Sequence, residues 1–190
     1  EIGAGKTTLV RTLLGELDEN KVVAAQLVST QLKPGDLLRA ILVAFGAPSR
    51  GESKADLLAS LEAYLTSLAA RGQRALLIVD EAQNLGLDTL EELRMLSNFQ
   101  FGHQALLQSF LIGQPQLRTL IESDSLEQLR QRIIASCHLG PMDAAETRAY
   151  VEHRLRQVGW TQRPRFDDQA FSTLHRWTGG IPRRINLLAN

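Results

Sequence analysis

Glu1-Ile2-Gly3-Ala4-Gly5-Lys6-Thr7-Thr8 opens the chain, and its reading decides the fold. The stretch matches the tail of the pattern G-x-x-x-x-G-K-[ST], with Gly5, Lys6 and Thr7 in the last three places. The first Gly of that pattern falls one residue before Glu1, so the match is cut by the chain start. Phosphate chemistry explains the spacing. Glycines let backbone N–H groups close around phosphate oxygens that side chains would block. The helix that follows aims its N-terminal dipole at the same anions. In such a loop Lys6 supplies a point charge for the β and γ phosphates, and the Thr7 hydroxyl completes a Mg²⁺ shell. Gly3, Ala4, Gly5, Lys6, Thr7 and Thr8 are therefore the expected nucleotide-binding residues. A Gly-rich turn before a helix also arises without a nucleotide, so the loop needs a second motif.

Leu76-Leu77-Ile78-Val79-Asp80-Glu81 supplies it. An apolar strand ending in two adjacent acids is a poor structural device, because the carboxylates repel each other. A divalent metal and a water to be activated give them a reason to be there. Asp80 is expected to hold Mg²⁺, mostly through water. Glu81 is expected to orient and polarise the water that attacks a γ-phosphoryl group. Together the motifs point to hydrolysis of Mg·ATP.

Working outward, 190 residues at 44% hydrophobic content are enough to bury a real core. Formal net charge is +0, with 10 basic against 13 acidic residues over 1–100 and 11 against 8 over 101–190. Neither half carries the basic excess of a nucleic-acid footprint, and no nucleic-acid partner is expected. The single cysteine, Cys137, can form no internal disulfide and fits a reducing compartment. No stretch approaches the roughly 20 apolar residues of a membrane span, and no signal peptide is visible.

Apolar β-type runs alternate with longer amphipathic segments, the pattern of an α/β layer structure. A helix is expected from the phosphate loop to about Leu17, and a strand over Lys21–Val28. Helices follow over Gly35–Gly46 and Ser53–Arg71, joined by a turn holding Gly46, Pro48 and Gly51. Ala75–Val79 reads as a strand buried on both faces. Asp88 and Glu91 suggest a capping box for the helix carrying Leu90, Leu93 and Leu96. Ala105–Ile112 is a further strand, ended by Gly113 and Pro115, and Ala135–Leu139 a short fifth one carrying Cys137 and His138. Beyond Pro141 the character becomes all-helical. Asp143 and Glu146 cap a helix to about Val158, Phe166–Thr178 makes another, and Pro182 opens a third. Residues 1–141 thus form an α/β nucleotide-binding domain and residues 142–190 a small helical lid, each expected to be cut short at the chain end. Trp160 and Trp177 read as packing anchors of the lid, and the cluster Phe99, Phe101 and His103 as buried against the sheet, with a partner-contact loop as the alternative.

Val79-Asp80-Glu81-Ala82-Gln83-Asn84-Leu85, Glu92–Phe99 and Gly113-Gln114-Pro115-Gln116-Leu117 carry a family resemblance. Leu129–Leu139 and Gly179-Gly180-Ile181-Pro182-Arg183-Arg184-Ile185-Asn186 extend it over nearly the whole chain. The chain resembles the AAA+ ATPases of the general secretion pathway protein A (ExeA/GspA) type. Within that group it is most similar to the secretion ATPase encoded with exosortase/PEP-CTERM and exopolysaccharide loci.

The resemblance implies a P-loop NTPase fold, a three-layer α/β/α parallel sheet in the strand order 5-1-4-3-2 followed by the helical lid. The first strand would precede Glu1, and an isolated 190-residue chain is expected to be unstable without it. It also implies further site residues. Gln114 stands where the family has a polar sensor at the end of the fourth strand. Arg132, with Arg130 in reserve, matches the arginine finger that acts in trans on a neighbouring subunit's nucleotide. Arg183 matches the second sensor arginine of the lid, and Ser29 or Thr30 a polar switch at the end of the second strand. The partners implied are other copies of the chain, in a ring or filament, and membrane components of a secretion or polysaccharide-export system. The implied location is cytoplasmic, at the inner face of the cytoplasmic membrane. Two rival readings are a DNA-transaction ATPase, for which Arg154, Arg156, Arg163, Arg165 and Arg176 are the candidate basic surface, and a non-hydrolysing switch that binds ATP to dock a partner. Glu152, Asp167 and Asp168 interrupt the first, and Glu81 argues against the second.

Overall fold

A computed structural model describes the chain apart from residues 1, 2, 4, 29–31, 50, 103, 162 and 190. The expectations placed on Ala4, Ser29, Thr30 and His103 lie outside the described residues. The chain divides into two compact units, Thr12–Ser136 and Glu1–Arg11 with Cys137–Asn190. Helix α1 (Lys6–Glu16) has residues in both.

In the unit of residues 12–136 the order is β1 (Val22–Val28), α2 (Pro34–Ala44), α3 (Lys54–Ala70) and β2 (Arg74–Asp80). It continues through α4 (Leu87–Leu96), the short hairpin β3 (Gln100–Phe101) and β4 (Gln104–Ala105), then β5 (Leu107–Leu111), α5 (Pro115–Ile121) and α6 (Glu127–Arg130). Strands β1, β2 and β5 form a parallel sheet in that spatial order. This is the run of second, third and fourth strands that the family order requires. The register pairs Ala25 with Leu77 and Leu27 with Val79, and on the other side Leu77 with Ser109 and Val79 with Leu111. Parallel strands in register bring three C-terminal ends to one edge, where open α/β sheets bind ligands. Central strand β2 is buried at Ala75, Leu77, Ile78 and Val79, which explains its unbroken apolar run.

Helix α3 shows how sequence sets this core. Its N-cap Ser53 accepts a 3.1 Å hydrogen bond from the Asp56 N–H, and the Asp56 carboxylate accepts from Ser53 N, a reciprocal cap. Leu57, Leu61, Leu65 and Leu68 then recur on one face and are all buried. They join Leu37, Leu38, Ile41 and Leu42 of α2 and Leu90, Leu93 and Leu96 of α4 in one cluster over the sheet.

Several expectations are corrected. Helix α4 has Gly86 as N-cap with no side-chain cap, so Asp88 and Glu91 form no capping box. The turn ahead of it starts the helix at Leu87, which leaves Asp88 inside the first turn and Glu91 paired with Arg94 Nε at 2.6 Å. The run over 105–112 is shared between the hairpin and β5, because Leu106 turns aside to donate its N–H to the Phe99 carbonyl. Residues 133–140 form no strand, and Ile134 is 100% exposed. A strand needs a ladder to satisfy its backbone groups, and the family order places beside this one the strand that leads into the phosphate loop. Phe101 is exposed, whereas Phe99 packs on the core.

In the other unit, α7 (Ala144–Gln157), α8 (Asp168–Thr178) and α9 (Pro182–Ala189) enclose a small core of Val151, Phe171 and Ile185. The capping box of Asp143 and Glu146 is present, with hydrogen bonds of 2.7 and 2.9 Å. Helix α8 starts at Asp168 rather than at Phe166, because the Asp167 carboxylate caps it through the Ala170 N–H. The Tyr150 hydroxyl donates to Asn186 Oδ1 at 3.0 Å and ties α7 to α9. Trp177 is 71% exposed and is no packing anchor; Trp160 is half-buried, edge-on to Phe166.

Candidate functional site

The first group of site residues opens the unit that also holds helices α7, α8 and α9. Gly3 and Gly5 have φ of 84° and 88°, left-handed values that an L side chain resists. Helix α1 begins at Lys6 and has no acidic residue in its first turn. Its first N–H groups lack intrahelical acceptors, so loop and helix end together present a donor-rich, electropositive cradle suited to phosphate. Lys6 is half-buried there, and Thr7 and Thr8 are exposed.

Arg183 meets this loop directly. It is the second residue of α9, after Pro182, and its N–H donates to the Gly3 carbonyl at 3.2 Å. A Cβ at Gly3 would lie 2.6 Å from the Arg183 Cβ. Gly3 therefore serves two ends, a backbone turn and a close approach of Arg183. Only the first was legible as a motif. Arg184 is exposed.

The second group lies at the C-terminal edge of the sheet in the other unit. Asp80 ends β2, is 8% exposed, and accepts the Glu81 N–H on Oδ1 at 2.9 Å. Glu81 has φ 52° and ψ 38°, the one left-handed non-glycine residue among those described. Such a conformation costs about 1–3 kcal/mol and persists only where the surroundings hold it. Three hydrogen bonds do so. Ile112 N–H donates to Val79 O, Ala82 N–H donates to Ile112 O, both at 2.8 Å, and Asn84 N–H donates to Glu81 O at 2.9 Å.

The Glu81 carboxylate is held as well. Its Oε2 accepts from Gln114 Nε2 at 3.1 Å and from Gln83 Nε2 at 2.5 Å. Gln83 Oε1 in turn accepts the Gln114 N–H at 3.0 Å. The structure thus brings Glu81 and Gln114 together, and adds Gln83, which the motif reading passed over. Its only signal was an amide two residues past the second acid. Gly113 makes room for it, since a Cβ there would lie 2.9 Å from Gln83 Oε1 and 2.7 Å from Leu117 Cδ2.

Arg132 follows α6, is exposed, and donates through Nη1 to Ser97 Oγ at 3.3 Å. It makes no ion pair among the described residues, whereas Arg130 pairs with Glu127 one turn back.

The family model described as "AAA domain" matches residues 1–121. General secretion pathway protein A of Aeromonas hydrophila is 42% identical over 192 residues, spanning 100% of this chain and 35% of that protein. The chain thus corresponds to about a third of that relative's length. Among solved structures, the Aeropyrum pernix ORC2 protein in its ADP form aligns with a TM-score of 0.70 at 19% identity, over 97% of this chain and 52% of its own. Cdc6p of Pyrobaculum aerophilum aligns with a TM-score of 0.67 at 18% identity, over 98% of this chain and 52% of its own. At such identity these two share the fold.

Proposed function

The chain belongs to the AAA domain family, and from that premise we propose that it hydrolyses Mg·ATP as an oligomeric ATPase serving a secretion or exopolysaccharide export system. One observation carries the enzymatic part. The Glu81 carboxylate stands at the C-terminal edge of a parallel sheet, on a strained residue, oriented by the Gln114 amide. A protein that only binds nucleotide has no use for a strained, oriented carboxylate beside a second acid.

In this reading residues 1–141 form the nucleotide-binding domain and residues 142–190 the lid. The backbone around Gly3, Ala4 and Gly5, with Lys6, Thr7 and Thr8, binds the phosphates. Thr7 and Asp80 are the oxygen donors that would hold Mg²⁺, which when bound neutralises charge developing on the phosphate oxygens. Glu81 orients a water and takes its proton as the water oxygen bonds to the γ-phosphorus and the bond to the ADP oxygen breaks. Gln114 keeps the Glu81 carboxylate in place, and Arg183 senses the γ-phosphate from the lid. Arg132 acts on the nucleotide of a neighbouring copy. That the two groups of residues serve one nucleotide is read from the pairing of their motifs.

The cellular role follows the 42% identity to general secretion pathway protein A. In this reading the protein works in the cytoplasm at the inner membrane face, with membrane export components as partners. No helix among the described residues is long and apolar enough to cross a membrane.

The test is steady-state ATP turnover of the full-length protein, with Glu81→Gln as the reference, across protein concentration and with or without Mg²⁺ and duplex DNA. Turnover per subunit that needs Mg²⁺, rises with concentration and ignores DNA is expected. Strong stimulation by DNA would transfer the assignment to DNA transactions. Turnover no higher than that of Glu81→Gln would remove the hydrolysis reading.

A further inference from the structure

Gln83 lies outside both nucleotide motifs, yet its side chain makes two hydrogen bonds around Glu81. Its two amide ends do different things. Oε1 accepts the backbone N–H of Gln114 at 3.0 Å, and Nε2 donates to Glu81 Oε2 at 2.5 Å. The first contact decides the second. A backbone N–H accepts nothing, so the oxygen end of the amide must face Gln114 and the donor end is obliged to face Glu81. The neighbourhood is shaped for this arrangement. Gly113 has no Cβ where one would press on Gln83 Oε1 at 2.9 Å, and Gln83 lies within the 3₁₀ turn Ala82–Asn84 that the Ala82–Ile112 hydrogen bond anchors to the strand end after β5.

We propose that Gln83 is a positioning residue for hydrolysis, a two-ended clip that registers the Glu81 carboxylate against the backbone of the sensor-position residue Gln114. The proposal rests on the hydrolysis reading above. Gln114 reaches the same Oε2 atom through a side chain with its own torsional freedom, whereas the clip connects that atom to a main-chain N–H at the start of α5. Without Gln83 the carboxylate loses one of the two amide donors on its Oε2. A carboxylate held by both amides has its orientation fixed before a water arrives, and misplacement of a general base by even 1 Å is costly in rate. Gln83 also gives the strand end after β5 a direct hold on the catalytic group, so a shift of Gln114 moves Glu81 through two bonds.

The two ends can be separated experimentally. Gln83→Glu keeps an acceptor for the Gln114 N–H but replaces the donor toward Glu81 with an oxygen. Gln83→Met removes both ends at similar volume. In the full-length protein both variants are expected to lower kcat at least tenfold while KM for ATP stays within about twofold. The affinity for a fluorescent ATP analogue and the melting temperature of Gln83→Glu should stay close to wild type. If Gln83 only braces the turn, Gln83→Glu retains the brace and turns over within twofold of wild type, which overturns the inference. A drop in kcat matched by losses of nucleotide affinity and melting temperature would also overturn it. Wild-type turnover no higher than that of Glu81→Gln would instead defeat the hydrolysis reading, and the positioning role with it.

Discussion

Gly179 and Gly180 stand side by side between α8 and α9, and substituting each by Ala should have very different effects. Both are left-handed, with φ of 59° and 69°, so an Ala at either place meets the same backbone penalty of about 1–2 kcal/mol. Their surroundings differ. A Cβ at Gly179 has nothing within 4 Å, whereas one at Gly180 would lie 1.9 Å from the Met142 carbonyl oxygen, 2.9 Å from its carbon and 3.0 Å from its nitrogen. These are backbone atoms and cannot rotate away. The chain would have to open at the 2.9 Å hydrogen bond from Met142 N to Gly180 O. Losing that bond costs about 0.5–1.5 kcal/mol, and a buried carbonyl left without a partner about 1–3 kcal/mol more. Gly180→Ala should therefore be about 1.5–4.5 kcal/mol less stable than Gly179→Ala.

The measurement is direct, because Trp160 and Trp177 are the chain's two tryptophans and both lie in this helical unit. Urea unfolding followed by tryptophan emission reports the unit, and the difference in midpoint between the two alanine variants cancels the shared left-handed penalty. Equal midpoints, within about 0.5 kcal/mol once converted with the slope, would refute the reasoning. They would mean that the Met142 contact does not fix the turn leading into Pro182 and Arg183.

Three further outcomes are expected. Leu61→Ala, at a fully buried position of α3, should destabilise the sheet-bearing unit by about 2–5 kcal/mol in a denaturant melt monitored by circular dichroism. Gly3→Ala should weaken ATP binding at least tenfold, because it strains a φ of 84° and presses its Cβ on Arg183; fluorescent-analogue titration measures it, and wild-type affinity would remove Gly3 from the phosphate site. Arg132→Ala and Glu81→Gln should each be inactive alone, yet regain turnover when mixed if the arginine acts between copies. A mixture as inactive as its parts would place Arg132 outside the hydrolytic machinery.

What the sequence showed and what it hid divide along a physical line. Local chemistry was legible. The capping box at Asp143, the helix that begins after Ser53 and the wholly apolar β2 are each encoded within one or two turns of chain. The two acids at the strand end were legible for the same reason. Features that depend on partners distant in sequence were not. Ala135–Leu139 have a strand-like composition, but composition supplies no neighbouring ladder, and residues 135–138 lie open to solvent. Trp177 has the size of a core anchor but sits on the exposed side of α8. Gln83 reads as one polar residue among several until β5 brings Gln114 alongside, and Gly3 reads as a loop glycine until α9 brings Arg183 against it.

The adjacency of Asp80 and Glu81 itself carries a conclusion that the motif alone leaves implicit. In a strand that continued regularly, neighbouring side chains would point to opposite faces, so two consecutive acids could not serve one edge. The strand must end between them. It does so through the left-handed backbone of Glu81, which turns the chain into the 3₁₀ turn and directs its carboxylate to Gln114 beyond β5. The strain of about 1–3 kcal/mol is comparable to what the carboxylate gains from either one of its amide donors, at about 1.5–3 kcal/mol for a hydrogen bond to a charged group. The conformation is thus held in part by the bonds it makes possible. Removing those amides should release the backbone at Glu81 as well as its side chain. The orientation of the acid and the end of the strand are in this sense one structural decision, taken jointly by Glu81, Gln83 and Gln114.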